Sequence, residues 1–191
     1  MSATLQAFSV STGVVALGEI GDKTQLLALL LAARWRRPWP IIAGIFVATL
    51  ANHAAAGALG TWVSRLLDPQ WLRWVLGASF LAVAAWMLIP DEADEPTAAD
   101  ATGTWGIFGI TTLAFFLAEM GDKTQVATVM LAARFDDLLT VTAATTLGMM
   151  LANVPVVFIG EKAVRFVPLA WVHRASAAVF AVIGVVILAQ G

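Results

Sequence analysis

Long apolar segments separated by short polar stretches dominate the chain. A helix needs about 20 residues to cross a bilayer core of about 30 Å. Four apolar segments have that length and predict membrane spans, at residues 41–63, 71–89, 138–159 and 169–188. Two further segments, at residues 5–33 and 105–133, are long enough only if the polar stretch at their centre lies within the membrane. The pattern therefore predicts an all-α membrane protein with six transmembrane helices.

The polar stretch is nearly the same in both of these segments. Residues 19–25 read Glu-Ile-Gly-Asp-Lys-Thr-Gln, and residues 119–125 repeat six of these seven positions, with Met120 in place of Ile20. A charged residue at membrane depth costs about 2.5–3.5 kcal/mol on insertion scales, so it normally marks an ion or substrate pathway. Gly21 and Gly121 are candidate hinges, because an unwound turn is tolerated in a membrane where the backbone lines a cavity.

The doubled motif indicates two repeats. We expect a first three-helix repeat at residues 1–90, an acidic linker at 91–104 with no basic residue, and a second three-helix repeat at 105–191. Leu-Ala-Asn also recurs, at 50–52 and 151–153, although low-complexity content explains this shorter match equally well. Because each repeat has an odd number of spans, the second must enter the membrane from the opposite side. Inverted repeats of this kind occur in secondary transporters, which bind substrate near the midplane between the repeats.

Composition narrows the class of protein. The 191 residues are 60% hydrophobic and 13% charged, with a mean hydropathy of +0.84, and a soluble domain of this size could not bury so much apolar surface. The lack of cysteine excludes disulfides, thiol redox chemistry and thiolate metal sites. Two histidines, His53 and His173, are too few and too far apart for a zinc-type cluster. No basic face suited to nucleic acid is present.

The basic residues predict an orientation in the membrane. The loops after spans one and five share a side with the linker and carry six basic residues, which are Arg34, Arg36, Arg37, Lys162, Arg165 and Arg174. The opposite side carries three, which are Arg65, Arg73 and Arg134. The positive-inside rule then places the linker in the cytoplasm and both termini outside. The N-terminus has no basic n-region or cleavage site, so we expect its apolar segment to be retained.

The two motifs together supply a candidate site for a hard cation. On one continuous helix Glu19, Asp22 and Lys23 would share an arc of about 100°. The candidate metal ligands are Glu19, Asp22, Glu119 and Asp122. The candidate supporting residues are Lys23, Thr24, Gln25, Lys123, Thr124, Gln125, Asn52 and Asn153. The two asparagines are equally well explained as hydrogen-bonding contacts between helices.

The donor set also predicts an exchange reaction. Oxygen ligands suit Ca²⁺, Mg²⁺ and Mn²⁺ rather than Zn²⁺ or Cu⁺. Four carboxylates and two ammonium groups leave a charge of −2, which a divalent cation would balance. When the cation is absent the clustered carboxylates repel one another, so at least one should bind a proton. Lys23 is expected to neutralise a carboxylate in that state, for example Glu19 at a spacing of four residues.

These residues resemble the Gdt-type family of calcium/manganese:proton exchangers, which is grouped with the lysine-exporter superfamily. That family carries two copies of Glu-x-Gly-Asp-Lys-Thr/Ser in a six-span inverted repeat with an acidic central linker, and both copies are complete here. The resemblance covers the whole chain. It implies export of Mn²⁺, or transport of Ca²⁺, in exchange for protons, with no resident cofactor. The short chain resembles the bacterial manganese-exporter branch, which implies the inner membrane.

Other functions remain as alternatives. Superfamily kinship allows an exporter of a small cationic solute such as a basic amino acid, although two lysines in the motifs disfavour a cationic organic substrate. A non-transporting membrane subunit could use the motifs only to hold an assembly together. An enzyme is not expected, because no nucleophile motif is present and the paired acids lie on separate repeats. The predicted partners are therefore divalent metal ions, protons and the lipid bilayer.

Overall fold

A computed structural model of the chain describes residues 2–89, 103–160 and 169–190. These ranges contain helices and turns and no strand, which confirms the all-α prediction. The helices of these ranges are α1 (Ala3–Glu19), α2 (Lys23–Trp35), α3 (Pro38–Leu66), α4 (Pro69–Trp86), α5 (Gly103–Glu119), α6 (Lys123–Phe135), α7 (Leu138–Ile159) and α8 (Leu169–Ala189). Most of the predicted acidic linker, and the basic residues Lys162 and Arg165, lie outside the described ranges.

Each motif interrupts a helix instead of lying on one. Helix α1 ends at Glu19 and α2 begins at Lys23, and the second copy repeats this break between α5 and α6. The backbone turns at Gly21, with φ of 84°, and at Gly121, with φ of 75°, in the left-handed region that glycine adopts without a steric penalty. Helices α5 and α6 meet at 71°. The single continuous arc expected for each motif is therefore wrong, because the helix stops within it.

The turns that follow α2 and α6 also match between the repeats. Each is closed by a residue in the left-handed conformation, Arg36 with φ of 53° and Asp136 with φ of 47°, whose N–H donates to a carbonyl four residues earlier. Asp137 then caps α7 by accepting hydrogen bonds from the side chain and the backbone N–H of Thr140, and these lower the pKa of this partly buried carboxyl. The likeness of the two halves thus extends from the motifs into the helix ends.

Helices of the first repeat pack mainly against helices of the second repeat. Helix α1 packs along α7, and α5, its counterpart in the second repeat, packs along α3. Helix α3 also contacts α6 and α7, and α4 lies against α8. The break between α1 and α2 therefore lies beside α7, and the break between α5 and α6 lies beside α3. The interior of the bundle is therefore built jointly by the two halves.

Glycine permits the closest of these helix contacts. A Cβ on Gly148 of α7 would lie 2.7 Å from the carbonyl oxygen of Thr12 and 3.0 Å from the amide nitrogen of Ala16, both on α1. A Cβ on Gly60 of α3 would clash with the carbonyl oxygen of Val129 on α6. Small residues of this kind let helix backbones approach within a membrane, where packing rather than the hydrophobic effect drives association.

Three of the described helices are individually long and apolar enough to cross a membrane. They are α3, α7 and α8, the last over Ala170–Ala189, and the bent pair of α5 and α6 raises the number to four if it is counted as one span. Helix α4 ends at Trp86, short of the predicted span at 71–89. Several tryptophans, including Trp39, Trp71 and Trp171, are exposed near helix ends, as expected of residues at the membrane interface.

The close approach at Gly148 predicts that this position tolerates no side chain. We expect Gly148→Ala to lower stability by about 1–3 kcal/mol, since the clash is with backbone that cannot rotate away. In a chain of this length that is about 2–4 °C per kcal/mol in the unfolding temperature of the detergent-solubilised protein. The control is Gly13→Ala, because a Cβ at Gly13 meets nothing within 4 Å. Equal unfolding temperatures for the two variants would show that α1 and α7 are not so tightly packed.

Candidate functional site

Three carboxylates from the two repeats converge in the interior. Glu19, Glu119 and Asp122 each place an oxygen within 4.8 Å of the others. Their exposed fractions are 0%, 0% and 2%. Glu19 is the last residue of α1 and Glu119 is the last residue of α5, so the two helix breaks bring the acids together.

The helix ends add their own field to this cluster. A helix C-terminus carries a partial negative charge, and both α1 and α5 end at a cluster glutamate. A helix N-terminus carries a partial positive charge, and α2 and α6 begin directly after Asp22 and Asp122. The glutamates therefore lie where a cation is favoured, while the aspartates lie where a carboxylate is tolerated.

The motif threonines orient the glutamates. The hydroxyl of Thr24 donates to Oε2 of Glu19 at 2.6 Å. The hydroxyl of Thr124 lies 3.3 Å from Oε2 of Glu119 and 3.4 Å from Oδ2 of Asp122. Within the described ranges, Oε1 of each glutamate is buried and has no hydrogen-bond partner. Oε1 of each glutamate is thus available to a ligand, and Oε2, which accepts a threonine hydrogen bond, keeps a second lone pair.

Asp22 is placed differently from Asp122. It is buried, with an exposed fraction of 3%, and its Oδ2 lies 3.5 Å from the backbone nitrogen of Thr24 at the start of α2. It does not belong to the group of three carboxylates that could share one ion. Three of the four predicted metal ligands therefore converge, and the two copies of the motif are not equivalent in this conformation.

The two motif lysines also differ. Nζ of Lys23 lies 3.3 Å from Oδ1 of Asp122, so it contacts the second copy of the motif. The expected pairing of Lys23 with Glu19 is absent, because α1 ends at Glu19 and the helical spacing of four does not apply. Nζ of Lys123 donates to the carbonyl of Ile89 at 3.0 Å and lies 5.9 Å from the ring centroid of Trp86.

The glutamines stabilise the two turns. Oε1 of Gln25 accepts a hydrogen bond from the N–H of Gly21 at 2.9 Å, and Oε1 of Gln125 accepts one from Gly121 at 2.7 Å. The amide of Gln25 also donates to the carbonyl of Ala152 on α7 at 3.0 Å. These amide oxygens are occupied by the turn, so the glutamines act by holding the backbone break rather than as evident ligands.

The hydrogen bonds of Asn52 and Asn153 also differ. Nδ2 of Asn52 donates to the carbonyl of Phe116 at 3.0 Å, and its Oδ1 lies 3.5 Å from Nε2 of Gln125, so it links α3 to α5 and α6. Nδ2 of Asn153 donates to the carbonyl of Met149 one turn earlier. Oδ1 of Asn153 is buried without a hydrogen-bond partner among the described residues. Asn52 thus fits the description of a contact between helices, while Asn153 retains a free carbonyl oxygen.

Sequence reasoning missed one residue of this site. His53 on α3 is completely buried, and its Nε2 lies 4.0 Å from Oε2 of Glu119. From the sequence, His53 and His173 are only two distant histidines unsuited to zinc. The sequence feature that could have identified His53 is its position directly after Asn52, one of the candidate supporting residues. The site is therefore a buried, acidic, largely oxygen-lined cluster with one imidazole at its edge, a composition suited to binding a divalent cation.

Comparisons with known proteins agree with this chemistry. The profile of the family described as "Divalent cation/proton antiporter GDT1" matches residues 7–95 and 107–191. A protein of Vibrio cholerae named "Putative manganese exporter" is 51% identical over 177 residues, which are 92% of this chain and 87% of that protein. A GDT1-like protein of Synechocystis is 29% identical over 68% of this chain and 71% of its own length.

A plant relative extends the comparison. GDT1-like protein 4 of Arabidopsis thaliana is 31% identical over 46% of this chain and 38% of its own length. No solved structure matches the chain. The family match covers both halves, and with the apolar helices it identifies a multi-pass membrane protein whose transported substrate is a divalent cation. The chain therefore belongs to the GDT1 family of divalent cation/proton antiporters, which are transporters and not enzymes, as the doubled motif predicted.

Proposed function

We propose that the protein exports Mn²⁺ across the bacterial inner membrane in exchange for protons, with Glu19, Glu119 and Asp122 as ligands of the cation. The observation that carries this proposal is the convergence of three buried carboxylates from both repeats within 4.8 Å. With Lys23 beside Asp122, the ionised group has a charge of −2, which one divalent cation balances. The printed name of the Vibrio cholerae relative supports manganese as the cation.

Repulsion within the cluster supplies the coupling to protons. Two unit charges 4.8 Å apart repel by about 3 kcal/mol at an effective dielectric constant of about 20. Three carboxylates therefore cannot all stay ionised without a compensating charge. A bound proton or the ammonium of Lys23 provides it when the cation is absent. Entry of the cation then displaces the proton, and the two species alternate on the same oxygens.

The inequivalence of the two motifs supports an alternating-access cycle. Alternating access in inverted repeats moves one repeat against the other. We infer that the two halves exchange conformations in this movement. Asp122 lies in the cluster and Asp22 lies outside it, so exchange of the two conformations would bring Asp22 in and release Asp122. All four acids are thus ligands over the whole cycle, with Gly21 and Gly121 as the hinges. The proposed topology has six spans, with each broken helix pair counted as one span. The linker lies in the cytoplasm and both termini lie outside.

The cluster glutamates should be indispensable for transport. We expect Glu19→Gln or Glu119→Gln to reduce Mn²⁺ flux in proteoliposomes by at least about 10–100-fold, the range already produced by losing an indirect partner of a metal site. The amide keeps the shape of the side chain but removes the charge. Asp68→Asn is the matched control, because Asp68 only caps α4 through the N–H of Gln70 and asparagine caps equally well. Near-normal flux in either glutamate variant would remove that residue from the site.

The topology can be mapped with single cysteines, since the chain has none of its own. Glu95→Cys should react with an impermeant thiol reagent only from the cytoplasm, and Ala3→Cys and Gln190→Cys only from outside. An even number of spans separates the termini, and an odd number separates each terminus from the linker. Labelling of the linker and a terminus from the same side would contradict the inverted repeat.

Coupling to protons can be tested with purified protein in liposomes. A pH gradient should drive accumulation of Mn²⁺ against its own gradient, and collapse of the pH gradient should stop it. Because protons and the cation compete for the same oxygens, apparent affinity for Mn²⁺ should fall as the pH is lowered. Mg²⁺ should be a poor substrate, since it sheds its waters reluctantly. Accumulation that follows voltage and ignores the pH gradient would point to a uniporter instead.

A further inference from the structure

We propose that His53 is a nitrogen ligand of the transported cation and sets the preference for a first-row transition metal such as Mn²⁺ over Ca²⁺. This inference rests on the proposed function and concerns the same site. It adds to the carboxylate cluster a donor of a different chemical kind. His53 lies outside both heptapeptides.

The geometry of the imidazole fits a shared cation. A cation with bonds of about 2.1–2.5 Å can be held by two ligand atoms up to about 4–5 Å apart. Nε2 of His53 lies 4.0 Å from Oε2 of Glu119, which is within that limit and too long for a hydrogen bond. An ion bound by Glu119 on this side would therefore be within reach of the imidazole.

His53 lacks the hydrogen bonds that a buried histidine normally makes. Its exposed fraction is 0%, and within the described ranges neither Nδ1 nor Nε2 has a hydrogen-bond partner. A buried polar atom left unpaired costs about 1–3 kcal/mol. A cation in the cluster would give Nε2 the partner that the protein does not supply.

The corresponding position of the second repeat carries no imidazole. Leu-Ala-Asn-His at residues 50–53 corresponds to Leu-Ala-Asn-Val at residues 151–154. The position after the asparagine is thus filled by His53 on α3 and by Val154 on α7. The cation site acquires one nitrogen donor from the first repeat and none from the corresponding position of the second.

A nitrogen donor changes which cations the site prefers. Ca²⁺ takes six to eight oxygen ligands, and imidazole is not among its usual donors. First-row divalent metals accept mixed nitrogen and oxygen sets, with affinity rising from Mn²⁺ towards Cu²⁺. An imidazole in an otherwise carboxylate site therefore disfavours Ca²⁺ relative to Mn²⁺. Glutamine at this position would replace the nitrogen donor with a carbonyl oxygen and reverse that bias.

Pulsed electron paramagnetic resonance of bound Mn²⁺ tests the ligand directly. The full chain is purified without a polyhistidine tag, so that its imidazoles are those of His53 and His173 alone. We expect the wild type to show ¹⁴N modulation typical of a coordinated imidazole. The matched control His173→Gln should retain it, which assigns the modulation to His53 even if variants of His53 fold poorly. His53→Gln should lose it.

Transport measured on the same proteins supplies the second readout. The ratio of Mn²⁺ to Ca²⁺ flux should fall by about 10-fold or more in His53→Gln and stay unchanged in His173→Gln. Modulation that persists in His53→Gln, or that is absent from a wild type that binds and transports Mn²⁺, would overturn the inference while leaving the proposed function intact. A wild type that neither binds nor transports Mn²⁺ would overturn both.

Discussion

Confinement of three carboxylates in a space that one cation can fill is the constraint on which the rest of this structure depends. Charges at that distance in a low-dielectric interior repel by several kcal/mol, and the bilayer offers no water to screen them. Nearby groups in the fold offset this repulsion by positive charge or by hydrogen bonding. Lys23 approaches Asp122 from the other repeat, hydroxyls of Thr24 and Thr124 donate to the glutamates, and helix N-termini lie behind the aspartates.

The broken helices follow from the same constraint. In an unbroken helix the backbone groups next to the acids would be hydrogen-bonded within the helix. No helix end, and no helix-end charge, would then lie at the carboxylates. By ending α1 at Glu19 and α5 at Glu119, the chain directs two negative helix ends at the cluster. The freed backbone groups at Gly21 and Gly121 are satisfied by Gln25 and Gln125 of the same motifs. Each heptapeptide thus contains the acidic side chains, the glycine turn and the glutamine that closes the turn.

The two heptapeptides occupy unequal environments in this structure. Asp122 lies in the cluster and Asp22 does not, although each aspartate directly precedes a helix and the two motifs match at six of seven positions. The environment of each copy, and not its composition, decides which aspartate joins the two glutamates. His53 adds a permanent inequality, since the corresponding residue of the second repeat is Val154. In the exchange cycle that we propose, the two repeats would therefore offer similar but not identical side chains to the cation.

The sequence by itself determined the class of structure, the doubled motif and the acidic, oxygen-rich chemistry, because hydropathy and the cost of buried charge can be evaluated locally. It allowed a break at the two glycines but did not decide between that break and a continuous helix. It did not determine that Lys23 pairs with Asp122 across the repeats, that Asp22 lies outside the cluster, or that His53 reaches Glu119. These relations join residues about 70–100 positions apart, and no spacing along one helix encodes them. Only the packing of α3 and α7 against the broken helices brings those residues within reach of one another.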